Sequence, residues 1–200
     1  MIFEAVSRWE EPVSADDELI RLRKGDPDAL AALVVRYQHR LYRYLLRLVH
    51  DASAAEDLFQ QTWLRVAEGI RQYDARRSFD GWLFAVAHNL AIDHLRRRYP
   101  RSLDELAEGG LTVGEQLASG SEDALDRLLA WERARLLESA MGEIPAVYRE
   151  VLTLRFEEEM KLEDIAGVIQ APLATVKSRL RRGLEGLRRQ IELRTEGGRP

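Results

Sequence analysis

The chain has 200 residues, 46% of them hydrophobic and 32% charged, with no cysteine and a formal net charge of −4. That length supports one large domain or two small ones with separate cores, and the lack of cysteine excludes disulfides and thiolate metal sites and suits a reducing cytosol. No apolar run approaches the roughly 18–20 residues of a membrane span, and Met1 to Asp17 is acidic and broken by Pro12, unlike a secretory leader, so the expectation is a soluble cytoplasmic protein.

The periodicity is helical nearly throughout, and no strand pattern or internal repeat competes with it. After a flexible N-terminus, 1–16, a short helix is expected from about Asp17 to Lys24, stopping at Gly25. Asp26 is a good N-cap and Pro27 suits the first helical position. Leu30, Leu33, Val34, Tyr37, Leu41, Tyr44, Leu45 and Leu48 then recur at spacings of three and four, which predicts an amphipathic helix. Ser53-Ala-Ala-Glu56 reads as a capping box opening the next helix, with Trp63, Val66, Ile70 and Tyr73 on one face. Asp74 to Ser78 reads as a loop. A fourth helix, about Phe79 to Arg98, carries Phe79, Leu83, Val86 and Leu90, and Pro100 ends it.

From Arg101 to about Gly120 the period fades among glycines and acidic residues, which predicts a flexible acidic linker over 100–121, with Ser102 to Glu105 able to cap a single turn. Helical signal resumes at Ser121. Pro145 starts another helix reaching about Phe156, a short one follows over Leu162 to Ile169, and the last runs from about Leu173 to Arg194 before a disordered tail, 195–200. The fold class is therefore all-α: two helical domains, 17–99 and 122–194, joined by a flexible acidic linker.

Charge is unevenly placed along this order. Arg96, Arg97, Arg98 and Arg101 form one basic cluster, and Lys177, Arg179, Arg181, Arg182, Arg188 and Arg189 another, with Asp104, Glu105, Glu108, Glu115, Glu122, Asp123 and Asp126 between them. The net acidity argues against tight autonomous DNA binding, since phosphate contacts need Lys and Arg. The distribution suggests two nucleic-acid surfaces separated by a non-binding link.

The C-terminal end carries the most specific signal. A short helix, a tight turn and a second helix make a helix-turn-helix. Ile165, Ala166 and Ile169 face the crossing. Val176, Leu180, Leu184, Leu187 and Ile191 form the expected buried stripe of the second helix, opposite Lys177, Ser178, Arg181, Arg182, Arg188 and Arg189. A major groove admits one such helix, and its basic face can reach phosphates and base edges; a lone basic helix reads first as a solvated surface, and it is the preceding short helix and tight turn that favour DNA. A second constellation, Arg76 to Arg98, interleaves Phe79, Trp82 and Phe84 with His88, Asn89, Asp93, His94 and the arginine run. Rings that stack bases and arginines that hold the backbone suit single-stranded DNA, although Trp82 and Phe84 also read as core. A third, Glu56 to Trp63, puts Asp57, Gln60 and Gln61 on one helix flank, and nothing in it says what it binds.

Four segments together resemble the extracytoplasmic-function subfamily of sigma-70-like factors: LRKGDPDALAALVVRYQHR (Leu22 to Arg40), AEDLFQQTWLRV (Ala55 to Val66), FDGWLFAVAHNLAIDHLRRR (Phe79 to Arg98) and YREVLTLRFEEEMKLEDIAGVIQAPLATVKSRLRRGLEGLR (Tyr148 to Arg188). The resemblance implies an alternative sigma factor with a region 2 domain that binds core RNA polymerase and the −10 element, and a region 4 domain that reads the −35 element. It implies polymerase contacts at Asp57, Gln60, Gln61, Thr62 and Arg65. It implies capture of a flipped non-template base and nearby phosphates at Phe79, Trp82, Asn89, Asp93, Arg96 and Arg97. It implies −35 contacts at Lys177, Ser178, Arg179, Arg181 and Arg182. Its partners would be core polymerase, promoter DNA and an anti-sigma factor, with no cofactor, metal or small-molecule substrate.

Four positions, in three places, depart from the family's pattern. Lys161 stands where a capping Ser or Thr is usual, Gln170 and Ala171 occupy a turn that usually holds Gly, and Ala174 replaces a Gly. A lost capping bond and a strained backbone at Gln170 are expected. Two other classes compete with this reading. An enzyme is disfavoured: His39, His50, His88 and His94 lack metal-ligand spacing, and no phosphate loop, nucleophile elbow or carboxylate pair appears. An autonomous helix-turn-helix regulator would explain the last helices but not Phe79 to Arg98.

Overall fold

In the computed structural model, which describes residues 15–74, 76, 78–98 and 124–196, every regular element is a helix. α1 spans Ala15–Arg23, with Asp16, Asp17 and Glu18 in its first turn, where the helix dipole favours acidic side chains. Gly25, at φ 87°, turns the chain into α2, Pro27–Val49. As expected, Asp26 caps α2, its side chain accepting from the Asp28 amide, and Pro27 opens it. Leu33, Leu41 and Leu45 are fully buried on one face of α2, each worth about 1.5–3 kcal/mol over the exposed state.

α3 is Ala52–Gly69. Its cap is Asp51, whose Oδ1 accepts from the Ala54 amide at 3.1 Å, and not the Ser53–Glu56 box expected from sequence. An aspartate at this position brings a full charge to the positive end of the helix, and Arg98 further fixes it through a 2.7 Å bond to Oδ2. α4 is Phe79–Arg98, as the periodicity predicts. Its burial is not confined to one stripe. Phe79, Leu83, Phe84, Ala87, His88, Ala91 and Leu95 are all buried, because α4 packs on α2 and α3 on one side and on the helix-turn-helix on the other.

α5 spans Ala124–Gly142 and α6 Ala146–Leu152, the latter entered from Pro145. α6 runs on into a π-helical turn, Thr153–Glu157, which the sequence reading had as ordinary helix. α7, Leu162–Val168, and α8, Leu173–Glu196, complete the fold. α1 and α8 each run two residues past the expected bounds, into 15–16 and 195–196; the rest of the expected N-terminus and tail, the acidic linker and its capped turn lie outside the described residues. Val151, Leu154, Ile165, Val168 and Val176 join the same apolar cluster as Leu33, Tyr37, Leu58 and Phe84, so a single core crosses from α2–α4 to α6–α8.

Candidate nucleic-acid interface

The helix-turn-helix is α7, the turn 169–172 and α8. The Ile169 amide closes α7 on Ile165 O at 3.0 Å, the Ala171 amide reaches Ala166 O at 3.1 Å, and Thr175 and Val176 start α8 on the Pro172 carbonyl. Both expected departures are present. Lys161 makes no side-chain cap, and Gln170 occupies the left-handed region at φ 50°, where a side chain is strained. α8 buries Val176 completely, and its Gly183 lies against Leu152 and Tyr148 of α6, where an added Cβ would meet Leu152 side-chain carbons at 3.1 Å. Leu184 departs from the expected buried stripe: it is 43% exposed and lines an apolar cleft of about 540 Å³ with Leu46, Leu137, Met141, Leu152 and Phe156. Gly183 rather than Leu184 takes the close-packed position, so the leucine is turned outward.

On the polar side of α8, Lys177, Arg181 and Arg182 are exposed, and Ser178 and Arg179 are half-buried. Among the described residues Arg181 pairs with a surface neighbour, Glu185 at 3.6 Å, which costs little to give up. The Ser178 hydroxyl donates to the Thr175 carbonyl at 2.9 Å, so its oxygen keeps lone pairs free for a donor.

The second surface is the start and outer edge of α4. Phe79 is buried and packs edge-on to Tyr37 and Tyr73, with ring centroids 5.5 and 5.8 Å away, and Trp82 is half-buried beside Tyr73 at 5.0 Å. Phe79 thus sets the position of Trp82 from beneath. Asn89, Asp93, Arg96 and Arg97 are exposed farther along α4. Arg97 is steered by a bond from Nε to the Asp93 carbonyl at 3.2 Å. Asn89 accepts from Gln170 Nε2 at 3.0 Å, which brings this surface against the helix-turn-helix.

The third surface is the outer flank of α3. Asp57, Gln60, Gln61 and Arg65 are exposed there. Thr62 is not with them: it is fully buried and its hydroxyl donates to the Leu58 carbonyl at 2.7 Å. Leu64, which the sequence reading passed over, is 64% exposed beside Gln61 and Arg65. An exposed leucine among amides on a helix flank was the available signal.

Between the two helical units lies a polar seam. Glu150 Oε1 accepts from Tyr44 Oη at 2.8 Å and lies 2.7 Å from His88 Nδ1, all three buried. Burial, reinforced by Glu150, pushes the Tyr44 hydroxyl well above its usual range and keeps it a donor. Arg149 points at His50 Nε2 from 3.2 Å, and burial with that arginine pushes the His50 imidazole down. Among the described residues no group of His, Cys, Asp and Glu is placed to hold a metal ion, and no helix is long and apolar enough to cross a membrane.

Comparison with known proteins places these surfaces in a family. Residues 33–101 match the family described as Sigma-70 region 2, and residues 134–187 match Sigma-70, region 4. The chain is 32% identical over 174 residues to the ECF RNA polymerase sigma factor SigW of Bacillus subtilis, covering 86% of this chain and 93% of that one. The chain belongs to the extracytoplasmic-function branch of the sigma-70 family. A second relative of this sigma factor, the RNA polymerase sigma-H factor of Pseudomonas aeruginosa, is 32% identical over 181 residues, covering 88% and 94% of the two chains. Its fold is shared with CnrH, solved in complex with the cytosolic domain of CnrY, at a TM-score of 0.62 and 20% identity over 90% of this chain and 99% of that one. It is shared also with RpoE of Bartonella quintana, solved with the anti-sigma factor NepR, at 0.60 and 22% over 80% and 94%. The α3 flank and the exposed edge of α4 fall within the sigma factor's region 2 match, and α7, the turn and α8 as far as Leu187 within its region 4 match.

Proposed function

We propose that this sigma factor works in the cytoplasm by joining core RNA polymerase through α3 and reading a promoter at two places with its own side chains. Residues 17–99 act as the polymerase-binding and −10-reading unit, and residues 122–194 as the −35-reading unit. Asp57, Gln60, Gln61, Leu64 and Arg65 form the polymerase contact. Trp82, Asn89, Asp93, Arg96 and Arg97 meet the melted non-template strand, with Phe79 supporting Trp82 from below. Lys177, Ser178, Arg179, Arg181 and Arg182 meet duplex DNA in the major groove. No chemistry is performed by the chain itself.

The observation that carries this reading is the presence, in one chain, of an aromatic–amide helix suited to unstacked bases and a basic helix-turn-helix suited to duplex. An autonomous repressor-like regulator has no use for the first, and the region 2 match at 33–101 weighs against it. An anti-sigma factor is proposed as a further partner, because RpoE was solved with one. The apolar cleft lined by Leu46, Leu137, Met141 and Phe156 is of a kind that accepts an amphipathic helix.

The test is reconstituted transcription. Purified chain and core polymerase are combined on the region upstream of the protein's own gene. Specific initiation only when both are present is the expected result. A chain that fails to bind core polymerase, or that protects a palindrome as a dimer without it, would sink the reading.

A further inference from the structure

Gly69 is the last residue of α3, and its backbone does not call for a glycine. Among the described glycines the left-handed region holds Gly25 and not Gly69, and the chain continues helically through Ile70 at φ −58°. Alanine is the better helix former at such a position. What the position excludes is a side chain. A Cβ built on Gly69 would lie 3.3 Å from Trp82 Cζ2 and 3.8 Å from Cη2. The indole carried by α4 therefore rests against the bare end of α3.

Tyr73 is its second support. This residue lies in the turn after α3, and two amides tie that turn back to the helix: Gln72 donates to the Gly69 carbonyl at 2.9 Å and Tyr73 to the Ile70 carbonyl at 3.3 Å. The Tyr73 ring is buried, with its centroid 5.0 Å from that of Trp82 and its plane 33° from parallel. That separation lies within the ~4.5–7 Å of an attractive aromatic pair. Arg23, the last residue of α1, fixes Tyr73 in turn. Its Nη2 donates to the Tyr73 carbonyl, and its guanidinium carbon stands 5.3 Å from the ring centroid, inside the ~6 Å range of a cation–π contact. Phe79 closes the frame, 5.9 Å from Trp82.

The consequence is a fixed tilt for a half-buried indole. Stacking depends on where a ring face points. A base that has left the duplex can meet only the part of Trp82 that these supports leave exposed.

We propose that Gly69 and Tyr73, the latter held by Arg23, are positioning residues for promoter opening: they set the tilt of Trp82 so that its exposed part receives an unstacked −10 base. The proposal rests on the sigma-factor reading above and extends it to the end of α1, the end of α3 and the turn beyond. Each of these residues acts through the indole, and none need touch DNA.

The test uses holoenzyme reconstituted from the full chain and core polymerase, on the DNA upstream of the protein's own gene. Unpaired thymines are read by permanganate, alongside core affinity and the unfolding temperature of the free chain. Gly69→Ala is expected to leave the unfolding temperature unchanged or raised and core affinity unchanged. Promoter opening should fall about fivefold or more, as for the loss of one base stacked on an aromatic ring. A purely structural glycine would give another pattern, since alanine favours the helix. Full opening by the Gly69→Ala holoenzyme overturns the proposal, and so does a loss that merely follows weaker core binding.

The effect must also run through Trp82. Trp82→Phe removes the ring atoms nearest Gly69, so adding Gly69→Ala to it should lower opening no further; additive losses overturn the proposal. Tyr73→Phe keeps the supporting ring and Tyr73→Leu does not. At matched core occupancy the first should open the promoter as the unsubstituted chain does, and the second about fivefold less. Equal opening by the two overturns the proposal. DNA that the unsubstituted holoenzyme leaves closed counts against the sigma-factor reading, and the proposal falls with it. DNA opened equally by every chain counts against the proposal alone.

Discussion

Gln170 holds a left-handed backbone at φ 50° and donates to Asn89 Oδ1 at 3.0 Å across 81 residues of chain. The two effects have opposite signs for stability. The left-handed conformation costs a residue with a Cβ about 1–2 kcal/mol, whereas an exposed neutral hydrogen bond returns about 0.5 kcal/mol or slightly more. Gln170→Gly is therefore expected to raise unfolding stability by about 0.5–1 kcal/mol in urea titration of the full chain, with no change in m-value. A loss of stability would mean that the Asn89 contact outweighs the backbone strain.

The α3 flank separates surface from core within two positions. Leu64 is 64% exposed and Thr62 fully buried. Truncating Leu64 to Ala should leave the melting temperature within a degree or so and weaken core polymerase binding about tenfold, the loss of an interface anchor worth about 1.4 kcal/mol. Thr62→Val, nearly the same shape, should leave polymerase affinity unchanged. Equal losses for both substitutions in a binding titration would show that the effect runs through the fold and not through contact.

How far the sequence carries can be judged from these same residues. Helix positions were legible because Pro27, Gly25 and Pro100 punctuate a clear period, and α4 begins and ends where that period does. The α3 cap was misread because Ser53–Glu56 and Asp51–Ala54 are both sound local patterns, and only the tertiary partner Arg98 decides between them. Thr62 was misread as surface although it keeps the four-residue register of Leu58 and Val66, both buried. The seam was not legible at all. His88 meets Glu150 across 62 residues and Arg40 meets Glu158 across 118, and no local period records such pairs. The π-helical turn belongs with them, since ordinary helix and π turn share one apolar pattern.

On α8, phosphate and base contacts should part company in a salt titration. Lys177 and Arg181 are exposed, and among the described residues Arg181 has the weak surface pair with Glu185 to relinquish. If a side chain meets a phosphate, its alanine variant lowers the slope of log affinity against log salt by about 0.9. If it meets a base edge, the slope is kept, and about 1–3 kcal/mol is lost at one base pair with relaxed preference there. Arg181→Ala is expected to show the base signature and Lys177→Ala the phosphate signature in holoenzyme binding to −35 duplexes. An Arg181→Ala enzyme with unaltered affinity and preference would remove this side chain from the interface.

The buried carboxylate of Glu158, which accepts from Arg40 Nε at 2.7 Å, should leave its mark on stability against pH. Its side chain is 1% exposed, and burial pushes its pKa above the ordinary 4.5 even though Arg40 pairs with it. A folded pKa above the unfolded one means that the fold prefers the protonated form. That contribution is complete below about 4.5 and is lost as pH rises through the higher folded value. Asp51 behaves oppositely: Arg98 and the α3 amides hold its pKa below 3.8, so its contribution exists above that value and disappears only as pH falls further. The two windows do not overlap. Between pH 4.5 and neutrality, Glu158→Gln should therefore gain on the unsubstituted chain in urea midpoint as pH rises, because glutamine never has to bury a charge. A difference that stays constant over that interval would mean that Arg40 fully compensates the buried carboxylate, and that Glu158 remains ionised in the fold throughout.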